Sequence, residues 1–225
     1  FAIPVIALFF LVDGTYFAAN AMKIGDGGWF PLLIGGIAFT LLTTWRSGRK
    51  LLTDHLRDGA IPIEIFLQGL PDINRVAGTA IFLTSASEGA PPALLHNLKH
   101  NKVMHQTVVL LTVNTQDRPT VTPEERLRIK ELGEGFYRVQ LDFGYLDDPN
   151  VPEALISLSP SYLPLDPMQT SYFLSRETLL PSATPGMALW REYLFSWLMR
   201  SAASPLDTFH LPPNRVIELG QQIAI

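Results

Sequence analysis

Between Trp29 and Trp45 the chain carries no charged side chain, and Arg46, Arg49 and Lys50 follow at once. No other stretch restricts the possible folds as strongly. A helix of roughly 20 apolar residues crosses the ~30 Å hydrocarbon core of a bilayer, and this run lies at the short end of that range. Its boundaries supply what its length lacks. A Trp at each end suits the two interfacial belts, and the basic cluster marks the side that follows as cytoplasmic. A buried helix of a soluble α/β protein is the competing reading of one such run. The preceding segment, Phe1 to Met22, decides between them, since only Asp13, Thr15 and Asn20 interrupt its apolar character. Lys23 to Gly27 leave room only for a tight connection. The two runs therefore read as an antiparallel helical hairpin, with its turn outside and Phe1 entering from the cytoplasm.

A hydrophobic fraction of 47% is ordinary for a globular protein, but here the apolar residues concentrate in the first 45 positions. The remaining ~180 residues suffice for one soluble domain with its own core. A net charge of −4 and a pI near 5.7 argue against a nucleic-acid groove, which would need a basic stripe. With no cysteine there is no disulfide framework, thiolate metal site or cysteine nucleophile. No basic region or small-residue cleavage pattern makes the first run a signal peptide. A first residue inside an apolar run reads instead as the last two spans of a longer membrane protein with its tail. The expected partners are then the lipid bilayer and an upstream membrane core.

Three regions follow: membrane helices over 1–50, a connector over 51–71, and a cytosolic α/β domain over 72–225. In the connector, Leu51, Leu52, His55 and Leu56 prolong a helix to a stop at Gly59. Ile61 to Leu67 then form an amphipathic segment, on the bilayer surface or under the domain, in which Pro62 disfavours an interior strand. Arg75 to Thr84 and Gln106 to Asn114 are nearly all-apolar strands separated by a helix from Pro91–Pro92 to about Lys102. Strand, helix, strand of this kind predicts a parallel pair buried on both faces. Leu127 to Phe143, turning at Gly133 and Gly135, predicts an antiparallel hairpin with one wet face, so the sheet is mixed. Short elements follow: a helix over Pro152–Leu158 and a strand over Ser171–Ser175. Met187 to Ala202 is a helix apolar almost all round, which predicts burial on more than one side. It reads as a core helix between sheet and connector, or as an interface with a second subunit or the membrane domain. Arg215 to Ile225 reads as a terminal strand or hairpin.

Asp13 is the first candidate site residue, because an ionisable group within a span is costly and marks an ion pathway or a helix pairing. Asn20, on or near the same stripe as Asp13 and Phe17, can hydrogen-bond across a helix contact. The turn holding Ser85, Ser87 and Gly89 lies between a strand and a helix N-terminus, where unpaired amides and the helix dipole favour an anion or nucleotide. Glu88 in the same turn opposes a phosphate. His96, His100 and His105 lack the Cys, the Glu and the spacing of a zinc site, and read as a solvated basic helix face with Lys99 and Lys102. Ser157 and Ser175 have no His/Asp partners, so nothing points to an enzyme.

Several strings resemble the Kup/HAK/KT family of potassium uptake permeases. They are the Asp13–Asn20 span followed by G-G-W-F-P-L at Gly27 to Leu32, R-V-A-G-T-A-I-F at Arg75 to Phe82, and P-P-A-L-L-H-N-L-K-H-N-K-V-M-H at Pro91 to His105. F-L-S-R-E at Phe173 to Glu177 and N-R-V-I-E-L-G at Asn214 to Gly220 complete the series. Ala77 departs from the Pro expected there. The resemblance implies a secondary transporter of the inner membrane that imports K⁺, as a symporter with H⁺, through an upstream inverted-repeat core. K⁺ and H⁺ would be cargo, and no cofactor is implied. The tail would be cytoplasmic, similar to universal stress proteins, and regulatory or dimerising. A membrane-anchored nucleotide sensor without transport activity is the alternative.

Overall fold

The computed structural model describes residues 2–70, 73–85, 89–158, 163, 165–180, 182 and 186–224. Its first two elements are long helices, α1 (Ala2–Met22) and α2 (Trp29–Asp58), joined by a wide turn over Ile24–Gly28. Gly27 makes that turn possible by adopting φ 117, a left-handed conformation that costs a residue without Cβ little. From Ile3 to Phe39 no described residue is buried. The large apolar side chains stand open, Phe10 at 81% and Phe39 at 70% exposure. The predicted hairpin is thus two apolar helices joined by a turn, without a packed seam. Lipid tails are as apolar as the side chains they meet, so no hydrophobic force presses such helices together.

Beyond the apolar run α2 changes character. Thr44, Gly48 and Leu52 are buried at helical spacing, so its second half presents one stripe to the rest of the molecule. The helix continues without a break through residue 50, where the connector was expected to begin, and ends at Gly59, whose N–H donates to the His55 carbonyl. Pro62 then precedes α3 (Ile63–Gln68). Ile63 is fully buried, and Phe66, Leu67 and Leu70 pack with it on the sheet. The connector therefore packs against the sheet of the domain.

The domain is a six-stranded sheet in the order β3-β4-β2-β1-β5-β6. Its strands are β1 (Asn74–Leu83), β2 (Val103–Gln116), β3 (Leu127–Gly133), β4 (Phe136–Gly144), β5 (Thr170–Leu180) and β6 (Val216–Ala224). All adjacent pairs are parallel except β3 and β4. The helices are α4 (Pro92–Asn101), a single turn α5 (Pro123–Arg126), α6 (Val151–Leu158), α7 (Leu189–Ser201) and the short α8 (Pro205–Thr208). Alternation along the strands fills two layers. Ala80, Phe82, Val108, Leu110, Phe136 and Phe173 pack against α3 and α4. Ile81, Leu83, Val109, Leu111, Val139, Leu141 and Tyr172 pack against α6 on the opposite face. Such a sheet is doubly wound, with its chain order reversing between β1 and β5. Gly78 sits at a bulge in β1 with φ 102, where an added Cβ would lie 2.6 Å from the Gln169 carbonyl oxygen.

Three expectations change. β4 is an interior strand between β3 and β2, so Phe136, Leu141, Asp142 and Phe143 are buried and the predicted wet face is largely lost. β5 extends to Leu180, beyond the predicted Ser175, because β6 pairs with it in parallel register from Tyr172↔Val216 to Leu180↔Ala224. α7 is not buried on more than one side: its buried residues are Glu192, Phe195 and Ser196, while Leu189, Trp190, Tyr193 and Trp197 are exposed.

Candidate functional site

The second half of α2, the far ends of β5 and β6, and α7 meet in a dry junction. Leu52, Leu179, Phe195 and Ile223 are all buried there, with Trp45, Leu56, Met187 and Met199 around them. Gly48 is the point of closest approach, since a Cβ on it would overlap the Phe195 ring. Trp45 meets the same ring edge-on at 5.8 Å between centroids. Polar groups complete the joint. The Arg191 guanidinium donates through Nε to the Thr44 hydroxyl at 3.0 Å, at the edge of the apolar run. Glu192 is wholly buried, and its carboxylate accepts from the Ser182 amide at 3.2 Å and the Met187 amide at 3.3 Å. A carboxylate so placed is satisfied by charge-assisted hydrogen bonds and fixes the start of α7. The Ser196 hydroxyl reaches the Leu179 carbonyl at 3.5 Å. Burial pushes the Glu177 carboxyl above its usual range, and the nearby Arg49 charge works in the other direction. An open cleft of about 730 Å³ lies beside the junction, lined by residues that include Ser47, Lys50, Asp54 and Arg191.

The residues singled out from sequence lie elsewhere. Asp13 and Asn20 are exposed on α1, and neither side chain has a hydrogen-bond partner among the described residues. Ser85 is exposed at the end of β1. Ser87 lies outside the described residues. Gly89 adopts φ 91 under the connector, within 3.3 Å of Ala60 and of the Ile61 carbonyl for an added Cβ, and the Ala90 amide donates to that carbonyl at 2.8 Å. The helix behind this turn is a poor anion holder, because Pro91 and Pro92 occupy its cap and first position and bring no N–H groups.

His96 and His100 stack at 5.9 Å between ring centroids, while His105 turns to Phe173 at 6.0 Å. Burial lowers the pKa of His105. The two helical histidines and the strand histidine thus do not converge. A separate polar centre surrounds the fully buried Asp142. Asn114, Gln116 and Gln140 donate to its carboxylate at 3.0–3.2 Å, and Arg128 pairs with it at 3.0 Å. Burial alone would raise its pKa, but these donors and the guanidinium together hold it below the usual value. Every facing group is a donor, so the arrangement stabilises an anion and offers no cation seat.

Two apolar helices of membrane-spanning length, the second running unbroken into a doubly wound α/β domain, define an integral membrane protein whose α/β domain is fixed to the second of them. The chain belongs to the K⁺ potassium transporter family. Residues 1–50 match the model of the K⁺ potassium transporter integral membrane domain, and residues 77–225 that of the K⁺ potassium transporter C-terminal domain. It is 52% identical, over its whole length, to the probable potassium transport system protein Kup of Erythrobacter litoralis, covering 36% of that protein. Identity is also 52% to the Kup 1 protein of Novosphingobium aromaticivorans and 49% to the Kup protein of Myxococcus xanthus, in each case over the whole chain and 35% of the relative. The chain spans about a third of the length of these relatives. No solved structure matches it.

Proposed function

We propose that this chain is the C-terminal part of a secondary transporter that imports K⁺ across the cell inner membrane in symport with H⁺, with a cytoplasmic tail that regulates it. The match of both regions to potassium transporter domains carries the reading. The junction supports a regulatory tail. A domain held to α2 by the Gly48–Phe195 contact and the Arg191–Thr44 hydrogen bond changes position whenever that helix does. Arg46, Arg49 and Lys50 support a cytoplasmic placement. The strand order of the parallel part of the sheet supports a fold like that of universal stress proteins. Asp13 is exposed on α1 with no side-chain partner among the described residues, suited to pairing with or relaying protons to a further helix.

Growth on limiting K⁺ tests this. The intact protein that carries this chain, expressed in a bacterium lacking its own K⁺ uptake systems, is expected to restore growth and to acidify the cytosol as K⁺ enters. Asp13→Asn should lower uptake while the protein still reaches the membrane. Failure of a membrane-inserted intact protein to move K⁺ would overturn the proposal in favour of an anchored sensor.

A further inference from the structure

The exposed face of α7 is a compact aromatic stripe. At ~100° per residue, Leu189, Trp190, Tyr193 and Trp197 fall on one side of the helix, each more than half exposed. Phe195 lies on the opposite side and enters the junction, with Glu192 and Ser196 buried between it and the edge of the stripe. Two Trp and one Tyr make up most of this patch, and these side chains combine an apolar body with a polar tip. They are the residue types that settle where hydrocarbon gives way to headgroups. Such a patch in free solution is an association liability.

Its place along α2 identifies what covers it. Trp29 to Trp45 spans about 24 Å of helix, and Gly48 lies about 4.5 Å further on. The hydrocarbon core is ~30 Å thick, so a span centred on Trp29–Trp45 puts Gly48 at the edge of that core. α7 is pinned there at its middle, Phe195 on Gly48, and again through Arg191 on Thr44. It has 13 residues, hence a length of about 20 Å. Whatever its tilt, no backbone atom of α7 lies more than ~10 Å along the normal from the level of Gly48. The headgroup zone on each side is of comparable thickness. Arg46, Arg49 and Lys50 on α2, with Arg191 on α7, place cations near this junction, the complement of anionic headgroups.

We propose that α7 is a membrane-interface anchor: Leu189, Trp190, Tyr193 and Trp197 enter the headgroup zone of an anionic bilayer beside the end of α2 and seat the tail on the lipid surface. This rests on the reading of Trp29–Trp45 as a span.

The chain has no cysteine, so single nitroxide labels can be placed at will. The intact protein that carries this chain, with any cysteine outside it replaced, is reconstituted in nanodiscs of phosphatidylcholine and phosphatidylglycerol, with labels at Tyr193→Cys, Trp197→Cys, Leu42→Cys within the span, and Leu146→Cys, an exposed site just past β4, three strands across the sheet from β5. Collision with oxygen is compared with collision with a water-soluble nickel chelate. The expected result is a ratio at 193 and 197 several-fold above that at 146 and below that at 42. Ratios at 193 and 197 equal to that at 146 would overturn the anchor. Shielding from both reagents would also overturn it. Spin–spin broadening would then identify a second copy as the cover, and its absence would identify another part of the chain. A water-like ratio at 42 would instead sink the span itself and with it the reading on which the anchor depends.

Discussion

Tyr172 shows how burial in this sheet becomes a dependence on pH. It is 5% exposed, and burial raises its phenol from 10.0 to about 12. The folded state therefore favours the neutral form. The stability this group contributes is complete below pH 10 and is lost as pH rises from 10 towards 12. Tyr172→Phe cannot ionise, so its thermal melting point should fall less than that of the unaltered chain over the same interval. Equal slopes would mean that the phenol is not excluded from water. Asp142 works in the opposite direction. Its lowered pKa makes its contribution present above the usual value of 3.8 and lost as pH falls through the folded value. Neither environment was legible in the sequence. Phe136, Arg138, Gln140 and Asp142 alternate with apolar residues as they would on a wet face, and only the insertion of β4 between β2 and β3 encloses them. Glu192 was hidden differently, as one acid in a helix of aromatics, with nothing local to show that it caps a loop.

Among the elements, the pairing of α2 with α7 has the clearest energetic signature. Gly48→Val forces a branched side chain into the Phe195 ring, and overpacking of this kind costs about 1–3 kcal/mol. Phe195→Ala alone opens a cavity worth about 3–5 kcal/mol. The double variant should lose less stability than the two losses added together, because each change relieves part of the other. Denaturant titration of the four proteins in detergent measures this, and strict additivity would show that the two helices do not meet at this point. The elements themselves were mostly readable. β1, α4, β2, the β3–β4 hairpin and α6 follow from continuous apolar runs, from Pro91–Pro92 and from the glycines of the turn. The errors came where distant segments decide. The length of β5 is set by β6, some forty residues later, and the face α7 buries is set by α2, almost 150 residues earlier. No periodicity within either segment contains that information.

For the molecule as a whole, the orientation of the two apolar helices decides on which side of the membrane the α/β domain lies. A tag following residue 225 is expected to react in permeabilised cells and to stay hidden in intact ones, while a tag in the Gly25–Gly27 turn does the reverse. A tail tag reactive in intact cells would invert the topology. Asp13 and Asn20 stand out in the sequence as polar residues in an apolar run, and the structure leaves both exposed on α1. The break between membrane and domain that composition suggested at residue 50 is bridged by one helix of 30 residues, Trp29 to Asp58, about 45 Å long. Such a rod is a lever. Its membrane half adjusts its tilt to the thickness of the hydrocarbon around it, and a change of about 5° swings the far end by roughly 4 Å over that length. A thinner or thicker bilayer would thus be registered as a displacement of the whole domain, with the lipid acting as an input in its own right.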